Sequence, residues 1–461
     1  MADETADHRY AAFDTLVAER LDGWVEELRD FCSIGSEAAD PDALRRAAAW
    51  TADRLRAAGA DVKTLELDGV PPLVVGEAGA GDRTLICVQH YDVQPAVPLE
   101  LWTTPPYEPD VRDRRLFARG AADNKGEFLL RVWALEAYRA TIGELPCRVR
   151  FLVEGEEESG SPNLDALLDL GDDLRRGDAA LIEGGEVDRD GHPLVDTGVR
   201  GILVVRLTAR TLSSDAHSSV AMLLPNAAVR LVQALATLWD ERGLPRFAGW
   251  NGDARGPTLA EQELIAGLPD SLLDEIRAAY GVERFLAGRD GAEAFEAATF
   301  EPTCNIQGIW AGYTGPGTKT VTPAEANARV DIRLVPHQDP DRMLAALRAH
   351  LDASGFGDVE VTSEEDAERP YWSPIDHPLV DAAVRASESA FGVSAIRLPP
   401  APGTAPMYQV CARHELPMVS MGAVDHLAYA HAPDESESIE LMGKAARVMG
   451  RFLDEFAALE R

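Results

Sequence analysis

Two stretches of helical rhythm open the chain. Apolar residues recur every three or four positions over 10–32 and again over 41–58, which predicts two amphipathic helices. Short apolar runs at 61–67, 83–89, 147–153 and 179–182 read as strands, and helical patterns at 124–142 and 163–170 separate the later ones. Strands that alternate with helices predict a doubly wound, mostly parallel sheet covered on both faces. In such sheets the working groups gather beyond the carboxyl ends of the strands.

The pattern changes after Gly198-Val199-Arg200-Gly201. A strand at 202–209, a helix at 226–239, strands at 303–311 and 326–334, a helix at 339–353 and a strand at 358–362 follow in order. This β-α-β-β-α-β order predicts a ferredoxin-like α+β domain, interrupted by a partly helical stretch at 240–300. After Pro370 the first alternation resumes, with helices at 378–391, 406–414 and 436–459 and strands at 395–398 and 418–421. The α/β domain is therefore expected to be discontinuous, 1–198 with 367–461, and to carry the second domain, 199–366, as an insertion.

Composition narrows the function classes. With 461 residues, 46% hydrophobic and 26% charged, the chain is globular and long enough for two domains. Against 44 Lys+Arg stand 78 Asp+Glu, a net charge of −34. No basic patch interrupts that excess, so neither a nucleic-acid backbone nor an anionic membrane is an expected partner. No apolar run is long enough to span a bilayer, and Met1-Ala2-Asp3-Glu4 lacks the layout of a signal peptide. Five scattered cysteines without a C-x-x-C pair argue against a disulfide scaffold and a cysteine zinc site, and the expected location is a reducing cytoplasm.

The carboxyl-end rule then picks out candidates. His90-Tyr91-Asp92 follows the strand at 83–89, and Asp123 lies in a Gly-flanked loop before a helix. Glu154-Gly155-Glu156-Glu157-Glu158 follows the strand at 147–153, Glu183-Gly184-Gly185-Glu186 follows 179–182, and His431 follows the last strand. A lone His-x-Asp pair or a run of glutamates is usually a solvated surface; five strand ends delivering His or carboxylate to one rim is a metal-site pattern. The donors are nitrogen and oxygen with no sulfur, which suits Zn²⁺, Mn²⁺ or Co²⁺. Two histidines and three carboxylates exceed the needs of one four-coordinate ion, so two ions are expected: His90 and a distal acid on one, Glu158 and His431 on the other, Asp123 bridging. Asp92 is placed to take the other ring N–H of His90. Glu157 and Glu158 are neighbours whose side chains diverge in an extended backbone, so one can ligate while the other serves as general base.

These blocks, His90-x-Asp92-Val-Gln-Pro, Gly120-Ala-x-Asp123-Asn-Lys-Gly, Glu157-Glu158-x-Gly-Ser and Ala430-His431-Ala-Pro-Asp-Glu, occur in order along nearly the whole chain. They resemble the dinuclear zinc metallopeptidase family of carnosinases, glutamate carboxypeptidases, aminoacylases and succinyl-diaminopimelate desuccinylase. The block Glu154-Gly-x-Glu-Glu-Ser-Gly-Ser looks nearest to the cytosolic non-specific dipeptidase branch. The resemblance implies metal ligands at His90, Asp123 (bridging), Glu158 and His431, and a general base at Glu157. It implies Glu183 as the remaining ligand, with a one-residue gap that leaves Glu186 as an alternative. It further implies that the inserted domain is a lid through which two copies dimerise. His217 would then meet the scissile carbonyl oxygen of the partner's substrate, and Arg333 and Thr404 would hold the substrate's terminal carboxylate.

The expected activity is metal-dependent hydrolysis of dipeptides or short peptides with a free C-terminal carboxylate, with two divalent cations, Zn²⁺ first and Mn²⁺ or Co²⁺ as substitutes. The alternatives are an amidohydrolase of N-acyl, N-succinyl or N-carbamoyl amino acids and a catalytically silent metal or peptide binder. The lengthened insertion at 240–300 favours the peptidase, and the intact Glu157 disfavours the silent binder.

Overall fold

The computed structural model describes residues 3–364 and 367–460. The chain forms two compact units, one built from the segment up to Gly198 together with Trp372–Ala401 and the segment from Pro406, the other from Val199–Tyr371 with Pro402–Ala405. The expected junction between 366 and 367 touches Asp366, which lies outside the described residues, as do Met1, Ala2 and Arg461.

The first unit is a mixed α/β fold around an eight-stranded sheet. Its order is Asp61–Leu65, Leu73–Ala78, Arg148–Glu154, Thr84–His90, Ala179–Ile182, Met418–Ser420, Leu194–Asp196, Ile396–Leu398. The four strands from Arg148–Glu154 to Met418–Ser420 run parallel. Outside them the first two strands pair antiparallel, and Leu194–Asp196 meets Met418–Ser420 antiparallel. The sheet is therefore mixed: four of its seven pairings are parallel, and the antiparallel ones flank the expected parallel centre. The cause is local: Asp61–Leu65 and Leu73–Ala78 are joined by a short turn, and short connections produce antiparallel neighbours. The strands at Leu73–Ala78 and Leu194–Asp196 gave no separate signal in the sequence.

Helices cover the sheet for readable reasons. In Pro41–Ala57 the Asp40 carboxylate accepts from the N–H groups of Asp42 (3.1 Å) and Ala43 (2.9 Å), Pro41 sits in the first turn, and Leu44, Ala47, Ala48, Ala52 and Leu55 are buried. The helix Gly126–Thr141 packs against Asp3–Cys32 and Ile439–Ala457, with Trp24 and Trp133 stacked at 5.2 Å. Among the described residues no helix is long and apolar enough to cross a membrane.

The second unit carries a sheet ordered Asn305–Ala311, Glu325–Leu334, Gly198–Arg210, Glu360–Ser363, all antiparallel, under the helices Ala227–Leu235 and Pro340–Ala353. The stretch expected to be partly helical holds Leu259–Ala266, Ser271–Tyr280 and Gly291–Phe300. Several predicted helices are shorter than the pattern suggested: 226–239 narrows to Ala227–Leu235, 163–170 to Leu164–Leu168, 406–414 to Met407–Cys411, and 436–459 to Ile439–Ala457 after a short strand at Ser436–Ser438.

One buried acid gives a pH signature. Asp196 is 5% exposed, and burial, aided by the charge of Glu186, pushes its pKa well above the usual carboxylate range. The folded group therefore keeps its proton at pH values where the unfolded chain has lost it. Stability falls as the pH rises from the ordinary carboxylate range to the raised folded value. Asp196→Asn should raise the melting temperature by about 2–5 °C at pH 8 and by less than about 1 °C at pH 4. Equal shifts at both pH values would contradict this.

Candidate metal centre

Parallel pairing sets three strand ends side by side. His90 ends its strand opposite Glu154, and Val88 lies opposite Ile182, the residue before Glu183. Beyond Glu154 the chain makes a tight turn at Glu157–Ser159. This differs from the extended backbone expected there. The two glutamates still diverge, because a tight helical turn rotates successive side chains by about 120°. Asp123 comes from the loop ahead of Gly126–Thr141. At Gly120 that loop turns with φ +87°, and a Cβ there would lie 2.8 Å from Val93 Cγ1.

His431 completes the rim from a loop with left-handed backbone at Tyr429 (φ 50°), His431 (φ 64°) and Asp434 (φ 59°). Such conformations persist where the surroundings over-determine them. Here Asp434 accepts from Thr103 N (2.9 Å) and Oγ1 (2.7 Å). The buried Glu435 carboxylate accepts from the N–H groups of Gly120, Ala122 and Asp123 (3.0–3.1 Å) and pairs with Arg119 at 2.5 Å. The His431 loop and the Asp123 loop are thus one hydrogen-bonded piece.

The resulting geometry is two-lobed. His90 Nε2 lies 3.0 Å from Asp123 Oδ1 and 3.1 Å from Glu183 Oε2, whereas His431 Nε2 lies 2.8 Å from Asp123 Oδ2 and 3.2 Å from Glu158 Oε2. Asp123 faces one imidazole with each oxygen. Glu157 Oε2 stands back, 4.0 Å from His90 Nε2. His90 Nδ1 donates to the Asp92 main-chain oxygen at 3.1 Å and lies 3.3 Å from its carboxylate, which accepts from Glu157 N (3.3 Å) and Glu158 N (3.0 Å). Asp92 therefore orients the imidazole and the glutamate turn together. Glu186 is exposed, paired in a short strand with Val424, and outside the clustered donors.

Electrostatics match a site made for cations. Burial opposes the charged form of His90, yet the charge of Glu183 and contacts with Asp123 and Asp92 hold its pKa well above the ordinary value. Hydrogen bonds to Asp123 and Glu158 raise His431 to about 10. Burial, then repulsion from Glu183, pushes Glu157 well up, and burial raises Glu183 despite His90. Donor atoms of His90, Asp123 and Glu158, and of His90, Glu157 and Glu183, lie within 4.8 Å of one another. Four carboxylates against two imidazoles, all nitrogen and oxygen donors, fit divalent cations.

Two polar neighbours escaped the sequence reading. Gln94 donates from N (3.1 Å) and Nε2 (2.9 Å) to Glu158, and Asn124 Nδ2 donates to Glu183. Each lies inside one of the recurring blocks, Gln94 two residues after Asp92 and Asn124 next to Asp123. In the second unit Arg333 Nη1 donates to Thr404 Oγ1, so these two candidates meet. His217 lies in a separate two-stranded ladder with Val321, its ring 2.8 Å from Ser219 Oγ and exposed.

Residues 87–455 match Peptidase family M20/M25/M40. The Beta-Ala-His dipeptidase of Rattus norvegicus is 30% identical over 433 residues, 88% of this chain and 87% of that one. The chain belongs to peptidase family M20/M25/M40. It is a metallopeptidase, and M20 members use divalent metals. The Cys-Gly metallodipeptidase dug1 of Schizosaccharomyces pombe is 25% identical over 72% of this chain and 73% of its own. Among solved structures, the M20 family metallo-carboxypeptidase Sso-CP2 from Sulfolobus solfataricus superposes with a TM-score of 0.87 at 31% identity, covering 95% of this chain and 99% of that one.

Proposed function

We propose that this M20 peptidase hydrolyses the amide bond of dipeptides and short peptides with a free C-terminal carboxylate, at a dinuclear centre. The observation that carries the reading is Asp123, whose two oxygens each face a different histidine, His90 at 3.0 Å and His431 at 2.8 Å. Glu183 completes the His90 side and Glu158 the His431 side. His90, Asp123, Glu158, Glu183 and His431 would hold a pair of divalent cations, Zn²⁺ first, which when bound would supply an acidified water and a Lewis acid for the scissile carbonyl. Glu157 accepts the proton of the attacking water and hands it to the leaving amine. The dipeptidase names of the relatives support the substrate class.

The second unit, whose strand order supports a ferredoxin-like lid, contributes substrate contacts. Arg333 offers a forked donor pair, and Thr404 a hydroxyl, to the terminal carboxylate. Met222 (97% exposed), Leu223 (81%), Val229 and Val232 are uncovered apolar side chains of this unit, which supports a homodimer joined through the lid. In that dimer His217 donates to the carbonyl oxygen of the partner's substrate. Five free cysteines, four of them buried, support a cytoplasmic setting.

The test is product release from protein stripped of metal and reloaded with Zn²⁺ or Mn²⁺, offered dipeptides, N-acetyl and N-succinyl amino acids. Dipeptides should turn over, chelator should abolish the activity and metal should restore it, with light scattering giving twice the chain mass. Cleavage confined to N-acyl compounds would overturn the substrate assignment while leaving the metal centre intact.

A further inference from the structure

The segment that leaves the strand Thr84–His90 turns every second side chain toward the donor cluster. Alternate residues of an extended chain share a face. Here His90 meets Asp123 and Glu183, and Asp92 accepts from the N–H groups of Glu157 and Glu158. Gln94, the next in the series, commits its donors to a single residue. Its main-chain N–H reaches Glu158 Oε1 at 3.1 Å, and its Nε2 reaches Glu158 Oε2 at 2.9 Å and the Glu158 main-chain oxygen at 3.3 Å. Both groups facing the side-chain amide are oxygens, so its NH₂ end must point toward them.

The grip is selective. Glu158 Oε2, the oxygen that takes the amide, also lies 3.2 Å from His431 Nε2, and the Glu158 side chain is only 5% exposed. The neighbouring Glu157 carboxylate accepts no hydrogen bond among the described residues and lies 4.0 Å from His90 Nε2. One glutamate of the turn is therefore held at both oxygens, while the other is left to turn. The chemistry of the holder matters as well. A glutamine orients a carboxylate without cancelling its charge, whereas a lysine or arginine would neutralise it in advance of any cation.

We infer that Gln94 is a positioning residue for the cation on the His431 side, acting through Glu158 by keeping Oε2 turned toward His431. The inference rests on the dinuclear reading and adds that one side of the centre can be weakened without the other.

The experiment is calorimetric titration of the metal-free full chain with Zn²⁺. The parent should take up two cations, and His431→Ala identifies the step that belongs to its side. Gln94→Met, similar in length and without a side-chain donor, should weaken that same step by about 10–100-fold and leave the other within about twofold, the usual cost of losing a group that orients a ligand. Gln94→Asn keeps the amide but is one methylene too short, and should weaken the same step. Added to Glu158→Ala, Gln94→Met should change neither step further, because the carboxylate it acts through is gone; a general loosening of the turn would still show in that background. Unchanged uptake by both Gln94 variants, equal weakening of the two steps, or a further loss in the Glu158→Ala background would overturn the assignment. A parent that takes up one cation only would overturn the dinuclear reading and this role with it. Two steps in the parent and an indifferent Gln94→Met would remove the role alone.

Discussion

Glu157→Gln should keep its divalent cations and lose about 10²–10⁴ of kcat on dipeptides, the usual contribution of a general base. The geometry separates the two properties. Asp123 and Glu183 approach His90 Nε2 to 3.0 and 3.1 Å, and Glu158 closes the His431 side at 3.2 Å, while Glu157 stays at 4.0 Å. Glutamine keeps the shape and removes the proton acceptor. Metal analysis and steady-state rates on the same preparation decide the matter. Loss of a cation would make Glu157 a ligand in place of Glu183, a choice the clustering of His90, Glu157 and Glu183 makes concrete. Unchanged kcat would remove it from the reaction altogether. His90→Ala, by contrast, should lose metal first.

Glu435→Gln should cost about 3–5 kcal/mol of folding stability, the typical loss on breaking a buried ion pair from one side. The Arg119 and Glu435 side chains are 1% and 0% exposed, and among the described residues no other carboxylate is in contact with this guanidinium. Glutamine still accepts from the Gly120, Ala122 and Asp123 N–H groups, so the loss comes from the stranded cation. Arg119→Met added to Glu435→Gln should therefore recover part of it, because the uncompensated charge leaves with the arginine. Urea denaturation of the metal-free proteins measures both steps. A single mutant within about 1 kcal/mol of the parent would show that the pair is weaker than its burial implies.

The clustering of the candidate side chains was legible in the sequence where short-range rules operate. His90, Glu158 and Glu183 follow apolar strands, and parallel pairing brings such ends together. The rest depends on partners far along the chain. Glu435 looks like one more acid in an acidic protein until the fold sets it beneath Gly120–Asp123, more than 300 positions earlier. Gln94 and Asn124 gain meaning only once the carboxylates they donate to are in place. The strand direction at the sheet edges was missed for a similar reason. Leu73–Ala78 is short and has buried residues on both faces, so its alternation is silent, and its antiparallel pairing follows from turn length.

The strand order also bears on synthesis. Met418–Ser420 lies inside the sheet, between Ala179–Ile182 and Leu194–Asp196. A nascent chain that has passed Ile182 therefore carries an apolar strand edge with no neighbour for the time needed to make the intervening residues, on the order of 10–50 s at about 5–20 residues per second. Over that interval it already holds His90, Asp123, Glu158 and Glu183 but not His431. The half-built rim has an open edge of the kind that pairs with other chains. Chaperone demand during translation should thus peak before residue 418 emerges and fall once that strand has slotted in.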